Sequence, residues 1–555
     1  MEHTGQSQKH SIPQTQITIL VALCLLTAPL QVGAMGLPNA GWEQAGPGSA
    51  TGGGISDSDG TSSAPSVAAE PGGALYVAWH DDSDVDEEDE IYVRRWDGNS
   101  WEEVGPGSAT GGGISDNDGV SREPSVAIGL DGNPIVAWHD NSPGERNYET
   151  YVRRWDGSAW VEVGTGSATG GGISGNDGYS THPSLAIAPD GTPHVAWSDD
   201  SNHSGKPEIY VRRWDGNHWV EVGTGSASGA GISDGGDIAV YPSIAIAPDG
   251  TTYVAWATYA EIYVRHWDGS DWIEVGAGSA TGGGISDTGG WSSAPALAIA
   301  LDGRPIVAWE DGNTGDRQVY VRRWNGTHWA EMGSGSATGG GISDSSTDSE
   351  FPSIAITPDG QPTVAWEDGS IGDRQIYVRR WHGGRWEEVG AGSASDDGIS
   401  DTTGESRLPS IATAANGTRT VAWSDYSSGT RDIYVRQGPP ELEIEPTSMT
   451  FMAAAGGADP ASRHLAVDTL GRAITWTATL SPTVAWLDVE PISGTTPVSI
   501  TATAMISGLG IGRYTAQILI GADGVAIDSP QAVEVKLIVA EEIHELYLPL
   551  IIRGY

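Results

Sequence analysis

Residues Ile91–Gly105 read IYVRRWDGNSWEEVG, two short alternating runs on either side of Asp97-Gly98. Alternation with a period of two, interrupted by an Asp-Gly turn, is the sequence form of a β-hairpin. Close copies begin at Thr150, Ile209, Ile262, Val319 and Ile376, and a truncated one at Ile433. A second hairpin pattern precedes each copy, as in Pro124–His139, PSVAIGLDGNPIVAWH, which turns at Asp131-Gly132. The unit of the chain is therefore a pair of hairpins.

The tripeptide Val-Ala-Trp serves as a ruler. Its tryptophans, Trp79, Trp138, Trp197, Trp256, Trp309, Trp366 and Trp423, are 59, 59, 59, 53, 57 and 57 residues apart. A period of this size with four strands per unit marks a propeller blade. In the second repeat the strands are Pro124–Ile128, Pro134–Trp138, Thr150–Trp155 and Trp160–Gly164. A Gly-rich connection, GSATGGGISD and its relatives, leads to the next unit, and its recurrence marks an ordered crossover rather than a flexible linker.

The two ends of the array complement each other. Gly41-Trp42-Glu43-Gln44 is a fourth strand with no third strand before it, and Ile433–Gln437 is a third strand with no fourth after it. Left open, both edges would invite aggregation. Pairing them closes a ring of seven blades over 41–438, so the fold class expected is all-β, a seven-bladed β-propeller.

Twenty of the 23 tryptophans occupy three repeat positions: the second strand, the end of the third and the start of the fourth. Burying each contributes roughly 1.5–3 kcal/mol, which makes the set a core rather than a sugar platform. Ser and Ala alternate in the first strands, as at Ser125 and Ala127, and small side chains suit strands that crowd around an axis. Setting Trp96 opposite Trp101 places Arg94 against Glu103. The same register predicts Arg153 with Glu162, Arg212 with Glu221, Arg265 with Glu274, Arg322 with Glu331 and Arg379 with Glu388, and puts Arg436 against Gln44.

The chain has 555 residues, a formal charge of −45 and only three lysines, Lys9, Lys206 and Lys536. Such a surface repels nucleic acid and anionic membrane, which excludes both as partners. It suits a soluble secreted protein, or one that attracts Ca²⁺ or polyhydroxyl ligands. Lys9 and His10, the apolar run Ile17–Leu30 and Val32-Gly33-Ala34 make a secretory signal over 1–34, with an uncleaved anchor as the alternative. Cys24, the one cysteine, falls inside that run, so the mature chain is expected to lack disulfides and thiol chemistry. The expected location is extracellular or at the cell surface, with no membrane insertion once the signal is cleaved.

After Pro439-Pro440 the composition shifts to Thr, Ala, Val and Ile. Alternating runs over 441–540 predict an immunoglobulin-like β-sandwich. Through Glu445-Pro446-Thr447-Ser448, Trp486-Leu487-Asp488-Val489, Pro491-Ile492-Ser493-Gly494 and Gly512-Arg513-Tyr514 this segment resembles the BACON family. That resemblance implies a module associated with carbohydrate-acting proteins or serving as a spacer. The tail 541–555 is apolar and proline-interrupted, and reads as a sorting segment or a docked final strand.

The repeats resemble sialidase-like BNR propellers, through the Val-Ala-Trp strand and Asp-Gly-x-x-Trp as in Asp97–Trp101. The full motif of that family begins Ser-x-Asp, where this chain has Trp96-Asp97-Gly98. The resemblance implies an arginine cluster, a Tyr/Glu nucleophile and an Asp acid/base, but no arginine motif stands in the first blade. Catalysis also requires blades that differ, and these are nearly alike. Asp57-Ser58-Asp59-Gly60 and Asp116-Asn117-Asp118-Gly119 look like pieces of a Ca²⁺ loop without its third ligand and closing Glu, and read as solvated turns. No other cofactor or metal spacing is present.

The blades cease to match just before the repeated prolines Pro65, Pro124, Pro183, Pro242, Pro295, Pro352 and Pro409. There stand Arg122-Glu123, His182, Tyr241, Trp291, Glu350-Phe351 and Arg407-Leu408, the candidate ligand-binding residues. Aromatics beside polar groups suit a sugar ring. The function expected is non-catalytic recognition of carbohydrate or another extracellular polymer. A sialidase-like glycoside hydrolase and a structural surface protein are the alternatives.

Overall fold

A computed structural model describes residues 41–543 apart from 85–87, 143–146, 203–204, 234–235, 314, 371 and 523–525. The expected signal segment and the tail beyond 543 lie outside the described residues. All regular structure among the described residues is β, and no helix is long and apolar enough to cross a membrane.

Seven sheets of four antiparallel strands follow the repeats. In the second, Ser121–Ile128 pairs with Pro134–Asp140, then Glu149–Trp155, then the short outer strand Trp160–Glu162. The first strands of the other sheets are Ser62–Ala69, Ser180–Ile187, Val240–Ile246, Ser292–Ile299, Ser349–Ile356 and Ser406–Thr413. The seventh sheet takes its outer strand from the other end of the array: Glu43–Gln44 pairs antiparallel with Asp432–Gln437, with Gln44 facing Arg436. The arrangement is consistent with a β-propeller.

Tryptophan chemistry joins each sheet to its neighbour. Each outer-strand indole N–H donates to a carbonyl of the preceding sheet: Trp101 to Ala45 at 2.6 Å, Trp160 to Val104 and Trp219 to Val163 at 2.8 Å, and Trp272 to Val222 at 2.7 Å. Trp329 to Val275 and Trp386 to Met332 continue the series, and Trp42 donates to Val389 at 2.9 Å. The first strands are stitched in the same sense. Ser66, Ser125, Ser184 and Ser243 each accept, on the hydroxyl oxygen, a backbone N–H of the next sheet at 3.0–3.1 Å, and Ser410 returns the series to Val67. The small residues of these strands therefore bond as well as fit.

The hairpin register is as the sequence predicts in all six complete repeats, but the arginines and glutamates do not bond each other. Arg265 reaches back to the Ile232 carbonyl at 2.7 Å, and Arg153, Arg212, Arg322, Arg379 and Arg436 make the same bond to the Gly-rich connection beside them. Glu162 instead accepts from Gly166 N, Ala168 N and Thr169 Oγ1, closing the turn that follows its own strand. The connections are ordered by the third strands, with Ile173 N donating to Thr150 O and Val152 N to Ser167 O at 2.8 Å.

Two further sheets follow. One orders Glu441–Glu445, Arg463–Leu470, Val498–Ala504 and Leu487–Glu490. The other orders Ser448–Ala454, Gln531–Ala540, Gly512–Gly521, Thr475–Ser481 and Ser493–Thr495. They share one core that includes Leu465, Trp476, Ile500, Ile518 and Val535. Buried Arg380 and Arg419 ion-pair with Glu441, and Arg380 with Asp528 at 2.7 Å, which fixes these sheets to the array.

One buried carboxyl position carries a pH signature. Glu90, Glu149, Glu208 and Glu261 each accept the hydroxyl proton of a serine in the following connection, and Gln318 and Gln375 do so at the same place. Burial pushes Glu90 and Glu149 up to about 7, against the lowering effect of the Ser115 and Ser174 hydroxyls. The folded chain thus keeps protons there that the unfolded chain releases near the ordinary carboxylate value, so stability falls as pH rises through that window. Glu149→Gln is expected to raise the melting temperature at pH 8 and leave it nearly unchanged at pH 5. A variant that loses stability toward pH 8 as steeply as the wild type would contradict this assignment.

Candidate functional site

In every first strand the pairing slips by one bulge just ahead of the proline, for example between Arg122 and Ser125 and between Val240 and Ser243. The residue before the proline is left-handed in all seven: Ala64, Glu123, His182, Tyr241, Ala294, Phe351 and Leu408 have φ of 49°, 52°, 54°, 54°, 47°, 50° and 54°. None is a glycine, so each holds a backbone conformation that L-residues avoid. The strands begin three residues earlier than the prolines suggest, and the bulge re-aims one side chain per sheet. Those residues, with the prolines and the small residues after them, line one central cavity of about 330 Å³.

Glu123, His182, Tyr241 and Phe351 among the sequence candidates meet there, with Leu408. Glu123 Oε2 lies 3.4 Å from His182 Nε2 and 3.6 Å from His139 Nδ1, and the His182 and Tyr241 rings meet edge-on at 4.5 Å. Neither Glu123 Oε2 nor His139 Nδ1 has a hydrogen-bond partner. Burial, with His182, His80 and Arg122 nearby, holds His139 well below the ordinary histidine range, so its ring is neutral. Burial and then Glu123 push the Tyr241 phenol up.

Four sequence candidates do not line the cavity. Trp291 stands three residues ahead of the left-handed position, which Ala294 fills in that repeat, and its exposed ring packs on the Arg317 guanidinium at 5.7 Å. Arg122 and Arg407, one residue before the bulged position, turn away to Asp89 and to Glu405 at 2.6 Å. Glu350, named with Phe351, is buried between Arg317 and Arg374.

The residue between Trp and Asp in the second strand was missed in the sequence reading. His80 Nδ1 accepts the Glu123 N–H at 3.4 Å, Glu310 the Phe351 N–H at 3.0 Å and Glu367 the Leu408 N–H at 2.7 Å. These groups support the mouth from behind, and the signal was the variable fourth position of the recurring Val-Ala-Trp-x-Asp. The aspartate that ends this pattern in six of the seven repeats is scaffold: Asp140 accepts from Trp138 Nε1, Asn117 Nδ2, Ser121 Oγ and Ser142 N. Asn117 and Ser58 of the Ca²⁺-like turns thus bond inward, to Asp140 and Asp81.

Around the cavity lie the exposed aromatics. Among the described residues six aromatic side chains are exposed, Tyr179, Tyr241, Tyr259, Trp291, Phe351 and Tyr426. All six stand where a first strand begins or where the second strand passes to the third, and these two kinds of connection share one face. They are bonded to each other there, as from Asp200 N to Tyr179 O and from Gly312 N to Trp291 O.

No protein-family model and no curated protein matches this chain. Among solved structures it is similar to the GH93 α-L-arabinofuranosidase of Fusarium graminearum in complex with arabinobiose, at 14% identity over 57% of this chain and 91% of that one, TM-score 0.36. It is also similar to Penicillium chrysogenum α-L-arabinanase complexed with arabinobiose, at 15% identity over 59% and 94%, TM-score 0.31. A leech intramolecular trans-sialidase matches at 10% identity over 70% and 69%, TM-score 0.36. Likenesses at this level carry no chemistry from those enzymes to this chain.

The left-handed backbone gives a direct test of strain. Tyr241→Gly is expected to be about 1 kcal/mol more stable than Tyr241→Ala, because only alanine keeps a Cβ at positive φ. Equal denaturation midpoints would show that the position is unstrained.

Proposed function

We propose that this protein is a secreted or cell-surface, non-catalytic binding protein that takes carbohydrate, or another extracellular polymer, at the mouth of a seven-bladed β-propeller. In this reading the seven sheets are the blades, closed by the N-terminal strand, and 441–540 is an immunoglobulin-like, BACON-like sandwich that carries the propeller. The observation that supports it best is the placement of all six exposed aromatics on the face that opens on the central cavity. Aromatic faces beside a few polar groups bind sugar rings by stacking and hydrogen bonding. The reading calls for no cofactor.

A sialidase-like glycoside hydrolase is the second reading, favoured by a carboxyl and a tyrosine, Glu123 and Tyr241, in one lining. It is disfavoured by the arginines. Among the described residues none lines the cavity, and Arg122, Arg317, Arg374 and Arg407 are engaged by Asp89, Glu350, Glu367 and Glu405. The Tyr241 phenol is also pushed away from the phenolate that a nucleophile needs.

A glycan array probed with the purified protein, beside a panel of chromogenic glycosides, tests both. Binding without hydrolysis is expected. Tyr241→Ala and Phe351→Ala are expected to abolish binding while remaining folded, and Leu130→Ala, exposed on a turn of the opposite face, is expected to bind as wild type. Turnover of any glycoside that Glu123→Gln abolishes would establish the hydrolase instead.

A further inference from the structure

One set of backbone bonds repeats in every sheet and frames a pair of residues. At or just before the start of each first strand a residue donates its N–H to a carbonyl one or two residues ahead of a third strand: Ser121 to Asp89, Ser180 to Tyr148, Ala239 to Pro207, Ser292 to Ala260, Ser349 to Arg317, Ser406 to Arg374 and Ser62 to Arg431. Only at Ser180 does the frame carry two aromatics. Tyr148 stands on one side, and Tyr179, just before Ser180, on the other, with ring centroids 6.0 Å apart. Asp200 clamps the Tyr179 backbone from both sides, accepting its N–H at 2.6 Å and donating to its carbonyl at 3.3 Å. A scaffold bond that occurs seven times has put this aromatic pair at one place.

The pair is continuous with the mouth. From Tyr148 the next ring is His139 at 5.2 Å, then His182 at 6.2 Å, then Tyr241 at 4.5 Å. His139 is buried beneath the row, Tyr148 and His182 are half-buried, and Tyr179 and Tyr241 are exposed at its two ends. Alongside the row, Glu123 Oε2, His139 Nδ1 and Asn147 Oδ1 are buried polar atoms that lack a hydrogen-bond partner. A carboxylate oxygen in that position accepts from a hydroxyl, and it disfavours an anionic ligand. Exposed rings at the two ends of the row, with the Glu123 carboxyl beside it, suit a hydroxyl-rich ligand longer than a lone terminal sugar.

We propose that the mouth is one end of an extended subsite, and that an uncharged oligosaccharide chain lies along the row from Tyr179 to Tyr241. This rests on the carbohydrate reading given above and adds to it the length and charge class of the ligand. Tyr148 and Tyr179 are binding residues in it although neither lines the central cavity.

The test is calorimetric titration of the wild type, Tyr179→Ala and Tyr241→Ala with cello-, xylo-, arabino- and chito-oligosaccharides of two to six units. Wild-type affinity is expected to rise with length. Tyr179→Ala is expected to weaken the hexasaccharide about tenfold and to leave the disaccharide within about twofold, as the loss of one remote stacking contact would. Tyr241→Ala is expected to abolish binding of both, and Tyr179→Phe to bind as wild type. If Tyr179→Ala weakens short and long chains equally, or neither, the extended subsite is wrong while the mouth stands. Absence of binding to every oligosaccharide would overturn the subsite and the carbohydrate reading together.

Discussion

The indole N–H of one outer-strand tryptophan per sheet, donated to the carbonyl of the sheet before it, holds the array together. A hydrogen bond of this kind contributes only about 0.5–1.5 kcal/mol net, but there are seven in series. The series returns on itself, because Trp42 binds Val389 at one end of the chain and Ala45 receives Trp101. It also demands a close approach. A Cβ at Gly164 would fall 2.3 Å from the Trp214 ring, and φ there is +87°. Glycines at Gly46, Gly105, Gly164, Gly223, Gly276 and Gly333 lie in this way under the third-strand tryptophan of the next sheet, beside the indole that donates, and only a bare backbone leaves room for that ring.

So uniform a frame separates scaffold from site. Every sheet must solve the same packing problem, so the residues that solve it recur: the buried Val-Ala-Trp strand, the aspartate that gathers Trp138, Asn117 and Ser121, and the arginine that reaches the neighbouring connection. The central cavity is shared by all sheets at once and gives no reason for repetition. There the chain changes from alanine to glutamate, histidine, tyrosine, phenylalanine and leucine at one strained backbone position. The cost of seven left-handed residues is borne by the bulges and by the acceptors His80, Glu310 and Glu367 behind them.

The sheets and their register were legible because alternation and turn signals repeat, and one alignment, Trp96 on Trp101, sets all the hairpins. The bonds of the long side chains were not. Arg153 does lie across from Glu162, but a guanidinium extends well beyond its own rung and finds the Ile114 carbonyl in the preceding Gly-rich connection. The mouth was half legible. Variation before the prolines exposed Glu123, His182, Tyr241 and Phe351, whereas Trp291 misled because its repeat places alanine at the left-handed residue. Tyr148 and Tyr179 escaped because they flank a backbone bond between segments 31 residues apart, and only the fold shows that those segments touch.

The central claim is that ligand is held on one face, over the cavity and its aromatics. A crystal structure of the protein with the oligosaccharide it binds most tightly tests that most directly. The result expected is sugar stacked on Tyr241 and hydrogen-bonded to Glu123, with further units toward Tyr179. Sugar bound on the opposite face beside Leu130 and Leu301, or on the C-terminal sheets, would contradict it.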